Sequence, residues 1–313
     1  MTVLVLTRAD DHYVPELVTV ALAELGERDV VRVNTDLFPD DLALEDRGGD
    51  VTFVVDGRRI AGNDVRAVWR RRPWPGGRVA SDPRYAQAAA WQARAAFDAA
   101  VSALPHVVND PAKEREADHK GRQLGLANRL GFAVPETLIS NAPDAVRAFV
   151  HDVRGRGHRV VTKLLVPLSS TMNGAGAFVY TTTLSDDDVL ALNDVRWAPQ
   201  IFQRRIDKTH DVRVQIMGDA IVAGAVACSS DDWRISSSGY FTRWTLPSRI
   251  EAACLAFARA QGLVTSAIDL VVDQDGQHWF LENNPAGEWG MLERDLGLGL
   301  HHALARCLVA GAR

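Results

Sequence analysis

The chain has 313 residues but only three cysteines, Cys228, Cys254 and Cys307. An odd number at wide spacing builds neither a disulfide framework nor a zinc cage, so a reducing cytoplasm is the expected setting. Long apolar runs are missing as well, and no stretch has the length that spans a bilayer. The start, Met1-Thr2-Val3-Leu4-Val5-Leu6-Thr7-Arg8, lacks the basic leader of a signal peptide and reads as a buried strand. Charge of one sign is not in excess: 35 Lys and Arg oppose 40 Asp and Glu, a formal net charge of -5. That excludes a footprint for bulk nucleic acid, and any acidic ligand must be met by a local basic cluster. Internal repeats and low-complexity tracts are also lacking. What is present is core-forming material, with 47% hydrophobic and 24% charged residues, as in ordinary soluble globular proteins. The length exceeds one ordinary core and fits two or three α/β layers.

Hydrophobic periodicity organises the chain. Val3 to Leu6 reads as a strand; Val14, Leu17, Val18, Leu22 and Leu25 recur at helical spacing until Gly26; Val30 to Val33 reads as a second strand. This order predicts a parallel pair in an open α/β sheet. A hairpin is expected from Val51–Val55 through Asp56-Gly57 to Arg58–Ile60. A strand over Val65–Trp69 runs into Arg70-Arg71-Arg72-Pro73, and an alanine-rich helix covers Pro83–Ala103. Asn109-Asp110-Pro111 looks like a boundary. Beyond it the spacing predicts one helix from Ala112 to Leu130 ended by Gly131, a strand at Thr137–Ser140, a helix from Pro143, and a strand at Arg159–Leu165 carrying Lys163. The Ser-, Thr-, Asn- and Gly-rich stretch from Pro167 to Gly176 reads as mobile, and Phe178–Thr182 resumes as a strand. Strands follow at Pro199–Gln203, Val212–Met217 and Ile221–Cys228, then a helix at Arg249–Gln261. A second hairpin pairs Ser266–Val272 with His278–Glu282 through Asp275-Gly276, and a last helix covers His301–Val309. Three units result, 1–111, 112–198 and 199–313.

The second hairpin carries the strongest chemical signal. Antiparallel pairing puts Asp269 and Glu282 side by side, and Asn284 shares the face of Glu282. Two carboxylates beside apolar neighbours repel unless a cation lies between them. Oxygen donors of this kind suit Mg²⁺, which shares its shell with substrate phosphates; a solvated hairpin end with a surface ion pair is the competing account. Lys120 sits in the first turns of a helix, and Lys163 lies in an apolar strand where it must reach a charge or snorkel out. Phosphate oxygens would satisfy both, although either alone could be an ordinary surface lysine. Phe202-Gln203-Arg204-Arg205-Ile206 can offer backbone groups to an adenine edge, and Asp211 can accept from ribose; a solvated charge run is the usual alternative. Arg70 and Arg72 follow a strand of the first unit, beyond whose carboxyl end open α/β sheets bind ligands. They could hold an acidic peptide or tie two units together, and strand alternation turns Arg71 away from them. Trp74, Trp91 and Trp289 are expected in core packing rather than peptide contact. His301 and His302 read as solvated helix residues, and there is no Gly-x-Ser-x-Gly nucleophile elbow.

A helix lysine, a strand lysine, a polar loop, a Phe-Gln…Asp-x-Arg segment and a final Asp…Glu-x-Asn hairpin, in this order, resemble the ATP-grasp superfamily over about residues 112–300. Val68-Trp69-Arg70-Arg71-Arg72-Pro73, Val108-Asn109-Asp110-Pro111, Val134-Pro135-Glu136-Thr137-Leu138-Ile139-Ser140-Asn141 and Glu282-Asn283-Asn284-Pro285-Ala286-Gly287-Glu288-Trp289 look like the microviridin-type macrocyclases that make graspetides. The resemblance implies an α/β ATP-grasp fold behind an N-terminal pre-ATP-grasp domain. It implies Lys120 and Lys163 at the nucleotide phosphates of ATP, Gln203, Arg204, Arg205 and Ile206 along the adenine, and Asp211 near the ribose. Asp269, Glu282 and Asn284 would hold Mg²⁺, with Arg213 and Lys163 at the transferred phosphate and Arg70 and Arg72 at the peptide. The implied activity is ADP-forming: Asp or Glu side chains of a ribosomal precursor peptide are activated as acyl phosphates and closed onto Thr, Ser or Lys as esters or amides. The expected partners are that peptide, with its leader and its acidic, hydroxyl-rich core, and a second copy of the chain; neither nucleic acid nor membrane is expected. The family often has Tyr where Arg70 stands and an apolar residue at Asn283, and more glycine in the loop Leu168–Gly176, departures that touch substrate choice. Two other accounts compete: a ligase of free amino acids or of a protein terminus, and a non-catalytic nucleotide- or peptide-binding protein. The complete cation triad argues against the last.

Overall fold

A computed structural model describes residues 1–71, 73, 82–166, 180–228, 230–232 and 240–311. Among these the strands form four sheets. The first unit runs β1 (Thr2–Thr7), α1 (Tyr13–Glu24), β2 (Val30–Asn34), β3 (Leu42–Arg47), β4 (Asp50–Val55), β5 (Arg58–Ala61), β6 (Val65–Arg70), α2 (Ala86–Ser102) and β7 (Val107–Val108). Every residue of β1 is buried, the mark of a parallel strand covered on both faces. It lies between β2 and β6, all parallel, in the order β2-β1-β6-β7. Alternate residues of β1 serve two cores: Val3 and Val5 face α1, while Leu4 and Leu6 face Phe53, Phe97 and Val101. The hairpin at Asp56-Gly57 forms as expected, with both residues at positive φ. Its third partner, β3, is not predicted by the sequence. Only Leu42 of that strand is buried, so it shows no alternation; pairing with β4 makes it a strand.

The middle of the chain holds α3 (Pro111–Ala117), α4 (Lys120–Arg129), β8 (Thr137–Ser140), α5 (Pro143–Gly155), β9 (Val160–Lys163), β10 (Thr182–Thr183), α6 (Asp186–Leu190) and β11 (Gln200–Arg204). The single helix expected over Ala112–Leu130 is two, broken at Asp118-His119. The cause is tertiary. Buried Gln123 donates to the Ala117 carbonyl at 2.7 Å and to the Asn283 carbonyl at 2.9 Å, and accepts from the Asn283 amide at 2.9 Å. It thus satisfies a carbonyl at the end of α3 while binding α4 to the strand that carries Glu282. The four strands of this sheet are antiparallel, in the order β10-β9-β11-β8, so β11 pairs with the middle strands although it lies past the boundary expected at 198/199. The expected mobile loop from Pro167 to Gly176 and the first two residues of the expected strand Phe178–Thr182 lie outside the described residues, as do Arg72 and Trp74; of that strand only Thr182 is in β10.

The last unit is an antiparallel five-stranded sheet, β14-β13-β12-β15-β16. Its strands are β12 (Lys208–Met217), β13 (Ala220–Ala227), β14 (Thr242–Arg243), β15 (Thr265–Asp273) and β16 (His278–Asn284), with helices α7 (Ser248–Ala260), α8 (Gly290–Leu296) and α9 (Leu300–Ala310). Phe132, Phe257 and Phe280 pack together beneath it, with ring centroids 5.0–6.5 Å apart. Strand β12 begins four residues earlier than its apolar pattern, because Lys208 to Asp211 extend the pairing with β15. Helix α9 returns to the first unit, and Leu300, Leu304 and Leu308 join Val3, Val18 and Leu22 in one core. The junction is locked to the last sheet: Asn109 is 2% exposed, donates to the Thr265 and Pro285 carbonyls, and accepts from the Val264 and Thr265 amides at 2.8–3.0 Å.

Candidate active site

The hairpin of β15 and β16 sets Asp269 opposite Glu282 and Ala267 opposite Asn284. Simple alternation from buried Phe280 would send Glu282 into the core. A register irregularity between Asp269 and Leu270 leaves Leu281 as an extra residue on β16, a bulge that re-aims Glu282 and Asn284 to the open face. Asn284 Nδ2 reaches both carboxylates, at 2.9 Å from Asp269 and 3.2 Å from Glu282. Strand β12 flanks β15 on the other side and puts Arg213 opposite Asp269. Arg213 Nη1 donates to both Asp269 oxygens at 2.7 and 2.8 Å, and its Nη2 donates to the Glu288 carbonyl at 3.2 Å. Lys120, the first residue of α4, brings Nζ to 3.2 Å from Glu282 and 3.2 Å from Asp118. Lys163, the last residue of β9, donates to Gln203 Oε1 at 3.0 Å.

These charges shift one another. Burial pushes the Asp269 carboxyl up, against the pull of Arg213 and with the repulsion of Glu282. Burial acts the same way on Glu282, but Lys120 and Lys163 outweigh it and hold that carboxyl down at about 2. Burial lowers the Lys163 ammonium, with Glu282 opposing. For Lys120 the carboxylates of Glu282 and Asp118 overcome burial and raise it. Two carboxylates that one amide reaches, beside two ammonium groups, are a site for a ligand carrying both a cation and phosphates. Among the described residues no group of three or more His, Cys, Asp or Glu is arranged for a metal ion. The donor set here is two carboxylates and one amide, and turning the Asn284 amide about its last bond presents a third oxygen. Such hard oxygen ligands fit Mg²⁺, which leaves part of its shell to phosphate and water.

A cleft of 790 Å³ opens over this group, lined by Lys120, Lys163, Arg213, Asp269, Glu282 and Asn284. It joins a smaller cavity of 40 Å³ lined by Gln203, Arg204, Arg205 and Ile206 and walled by Val161, Val271 and Leu281. Lys163, Thr181, Asp231 and Leu281 line both, so a molecule with an apolar flat end and a charged tail can lie across the two. Gln203 is buried and also donates to Thr137 Oγ1 at 2.8 Å. The Arg204 guanidinium lies 4.8 Å from the Trp279 ring centroid, and Arg205 binds Asp231 at 2.5 Å. Asp211 faces the cleft with Lys208 Nζ 2.7 Å away; burial raises its carboxyl while Lys208 opposes. Lys208 belongs to the charged run that follows Phe202 but has no role from the sequence alone, and Asp231 is not singled out by it at all. They carry no spacing signal, and only the pairing of β12 and the loop after β13 bring them to this rim.

Arg70, the last residue of β6, and Arg71 separate as alternation demands. Arg70 lines the far end of the cleft, where it is buried and paired with Asp98 at 3.3 Å and with Glu114. Arg71 turns the other way, to Asp11 at 3.3 Å and to Glu288. Trp289 is buried against Trp69, as expected of a core residue. Trp91 is not: it is 68% exposed on α2, whose only buried residues are Phe97, Ala100 and Val101. His301 sits 2.9 Å from Glu293 and His302 2.9 Å from Glu24, away from the cleft.

Residues 117–308 match the family model of the RimK-like ATP-grasp domain. The chain belongs to the RimK-like ATP-grasp family. Residues 2–115 of this ATP-grasp protein match a second model, the MvdD pre-ATP grasp domain. Macrocyclase MdnC from Microcystis aeruginosa MRC, solved with the precursor peptide MdnA, is 28% identical with a TM-score of 0.88, over 99% of this chain and 100% of that one. Macrocyclase MdnB from the same organism is 28% identical with a TM-score of 0.81, over 98% of this chain and 99% of that one. A Chryseobacterium gregarium RiPP-associated ATP-grasp ligase, in complex with ADP and a leader and core peptide, shares the fold at 24% identity and a TM-score of 0.88, over 100% of this chain and 97% of that one. No curated protein matches. The architecture is thus an ATP-grasp fold behind a pre-ATP-grasp domain. Among the described residues no helix is long and apolar enough to cross a membrane.

Proposed function

We propose that this ATP-grasp protein is an ADP-forming ligase that closes side-chain rings in a ribosomal precursor peptide. The observation that carries the reading is the meeting of Asp269, Glu282 and Asn284 with Lys120, Lys163 and Arg213 over one cleft that runs into an apolar cavity. Full-length likeness to two macrocyclases supports the choice of substrate. A peptide Asp or Glu carboxylate attacks the γ-phosphorus of ATP and ADP leaves. A Thr or Ser hydroxyl, or a Lys amine, then attacks the acyl phosphate and inorganic phosphate leaves, so each ring removes one water. Mg²⁺, held by Asp269, Glu282 and Asn284, supplies charge neutralisation when bound.

The chain's own residues orient and neutralise. Lys120 and Lys163 meet phosphate oxygens as point charges. Gln203, Arg204, Arg205 and Ile206 border the adenine, and Asp211 the ribose. Arg213 and Lys163 stabilise charge on the transferred group. An enzyme that uses no nucleophile of its own draws most of its rate acceleration from such fixed charges. Arg70 and Arg72 contact the acidic core of the peptide; for Arg70 this requires exchange of its present carboxylate partners, Asp98 and Glu114. A cytoplasmic setting, a homodimer and units at 1–111, 112–198 and 199–313 belong to the same reading. The test is incubation with Mg²⁺–ATP and peptides rich in Thr, Ser, Asp and Glu encoded near the gene, read by intact mass. A loss of one water per ring is expected. A gain of amino-acid residues would identify a residue-adding ligase instead.

A further inference from the structure

The turn after β16, residues 285–290, leaves the cation-facing strand and enters α8, and the first unit grips it. The Glu288 carboxylate pairs with Arg71 and accepts from the Gly290 amide at 2.6 Å. Arg71 is 4% exposed and also meets Asp11, which accepts from the Thr7 hydroxyl at 2.6 Å. Trp289 packs on Trp69, ring centroids 6.4 Å apart. The backbone of the same Glu288 takes the second nitrogen of Arg213. Space for that contact depends on Gly287, where a Cβ would lie 2.7 Å from Arg213 Nη2 and 2.3 Å from the Ala267 Cβ.

Arg213 therefore has two anchors of different kinds. One is the Asp269 carboxylate, whose oxygens the proposed cation would take. The other, the Glu288 carbonyl, is independent of the cation. Burying a guanidinium with carboxylates costs desolvation that an apolar contact would not. Trp69 and Trp289 already supply such a contact between the units, so adhesion alone does not explain Arg71. What Arg71 adds is direction, because it fixes the Glu288 side chain and with it the peptide group that receives Arg213.

We propose that Arg71 is a positioning residue, which through Glu288 keeps Arg213 aimed into the cleft when Asp269 engages a cation. This rests on the reading of Arg213 as the group facing the transferred phosphate. The test compares Mg²⁺–ADP and Mg²⁺–AMP-PNP binding by titration calorimetry, because only the second ligand carries a γ-phosphoryl group. In Arg71→Lys and Glu288→Gln, AMP-PNP affinity should fall about tenfold, the scale of one charge-assisted hydrogen bond, with ADP affinity within about twofold. Asp11→Asn removes the other carboxylate of Arg71 and controls for stability: it should lower the unfolding temperature but keep the preference for AMP-PNP. Glu288→Gln retains the Arg71–Asp11 pair, so it carries the test if Arg71→Lys does not fold. An unchanged preference in Glu288→Gln and in folded Arg71→Lys, or an equal loss in Asp11→Asn, overturns the proposal alone. A wild-type protein that binds neither nucleotide removes the underlying reading as well.

Discussion

Replacing Glu282 by Gln tests the cation site at the carboxylate that Lys120 and Lys163 hold ionised. The substitution keeps shape and removes one negative charge from a group that holds two, leaving Lys120 and Lys163 to face an amide. Two unit charges about 4 Å apart interact by ~4 kcal/mol at an effective dielectric near 20. Glu282 is 38% exposed, so solvent screening brings the expected loss of cation binding to about 2 kcal/mol, roughly 30-fold in affinity. In Mg²⁺-dependent ADP formation, Glu282→Gln should need roughly 30-fold more Mg²⁺ for half-maximal rate and turn over far more slowly at Mg²⁺ concentrations that just saturate the wild type. Its circular dichroism should be unchanged. There is also an acid signature. The folded carboxyl lies at about 2, below its ordinary 4.5, so it contributes stability above 4.5 that is lost as pH falls through the folded value. Metal-free wild type should therefore lose stability between these limits more steeply than Glu282→Gln. Unchanged turnover and an unchanged Mg²⁺ requirement would refute the electrostatic reasoning.

Lys163→Ala should raise the ATP concentration needed for half-maximal ADP formation, because a half-buried ammonium facing the cleft is lost; native ATP dependence would return Lys163 to a structural role. Gly287→Ala should lower stability by about 1–3 kcal/mol in urea unfolding, the usual cost of overpacking, since its Cβ meets Ala267 and Arg213. Gln123→Leu should cost about 3 kcal/mol by the same measurement, as it strands the Ala117 carbonyl and both backbone groups of Asn283. A midpoint unchanged in Gln123→Leu would mean that the break between α3 and α4 has another cause.

Legibility follows the range of the interactions. The opening β1–α1–β2 and the two Asp-Gly hairpins are local patterns, and the structure has them where periodicity puts them. The facing of Asp269 and Glu282 is readable because a tight turn sets register. That Glu282 leaves the core is readable only as chemistry, since the bulge at Leu281 breaks the alternation from Phe280. Lys120 is expected on a helix, but its position at the very start of α4 comes from Gln123 bonding to β16. The exposure of Trp91 runs against expectation because an alanine-rich helix has no strong apolar stripe to say which part of it is covered. Alternation gives the direction of Arg71 correctly, yet its partner Glu288 lies 217 residues away and no pattern links the two.

The sequence by itself determined most of the secondary elements, the family and the residue types of the site, because strand period, turn residues and the order of charged groups are properties of neighbours along the chain. Only the tertiary structure decided which charges meet. Lys120, Lys163 and Arg213 come from a helix and two different sheets, and meeting in one cleft gives the two lysines and the carboxylates their shifted affinities for protons.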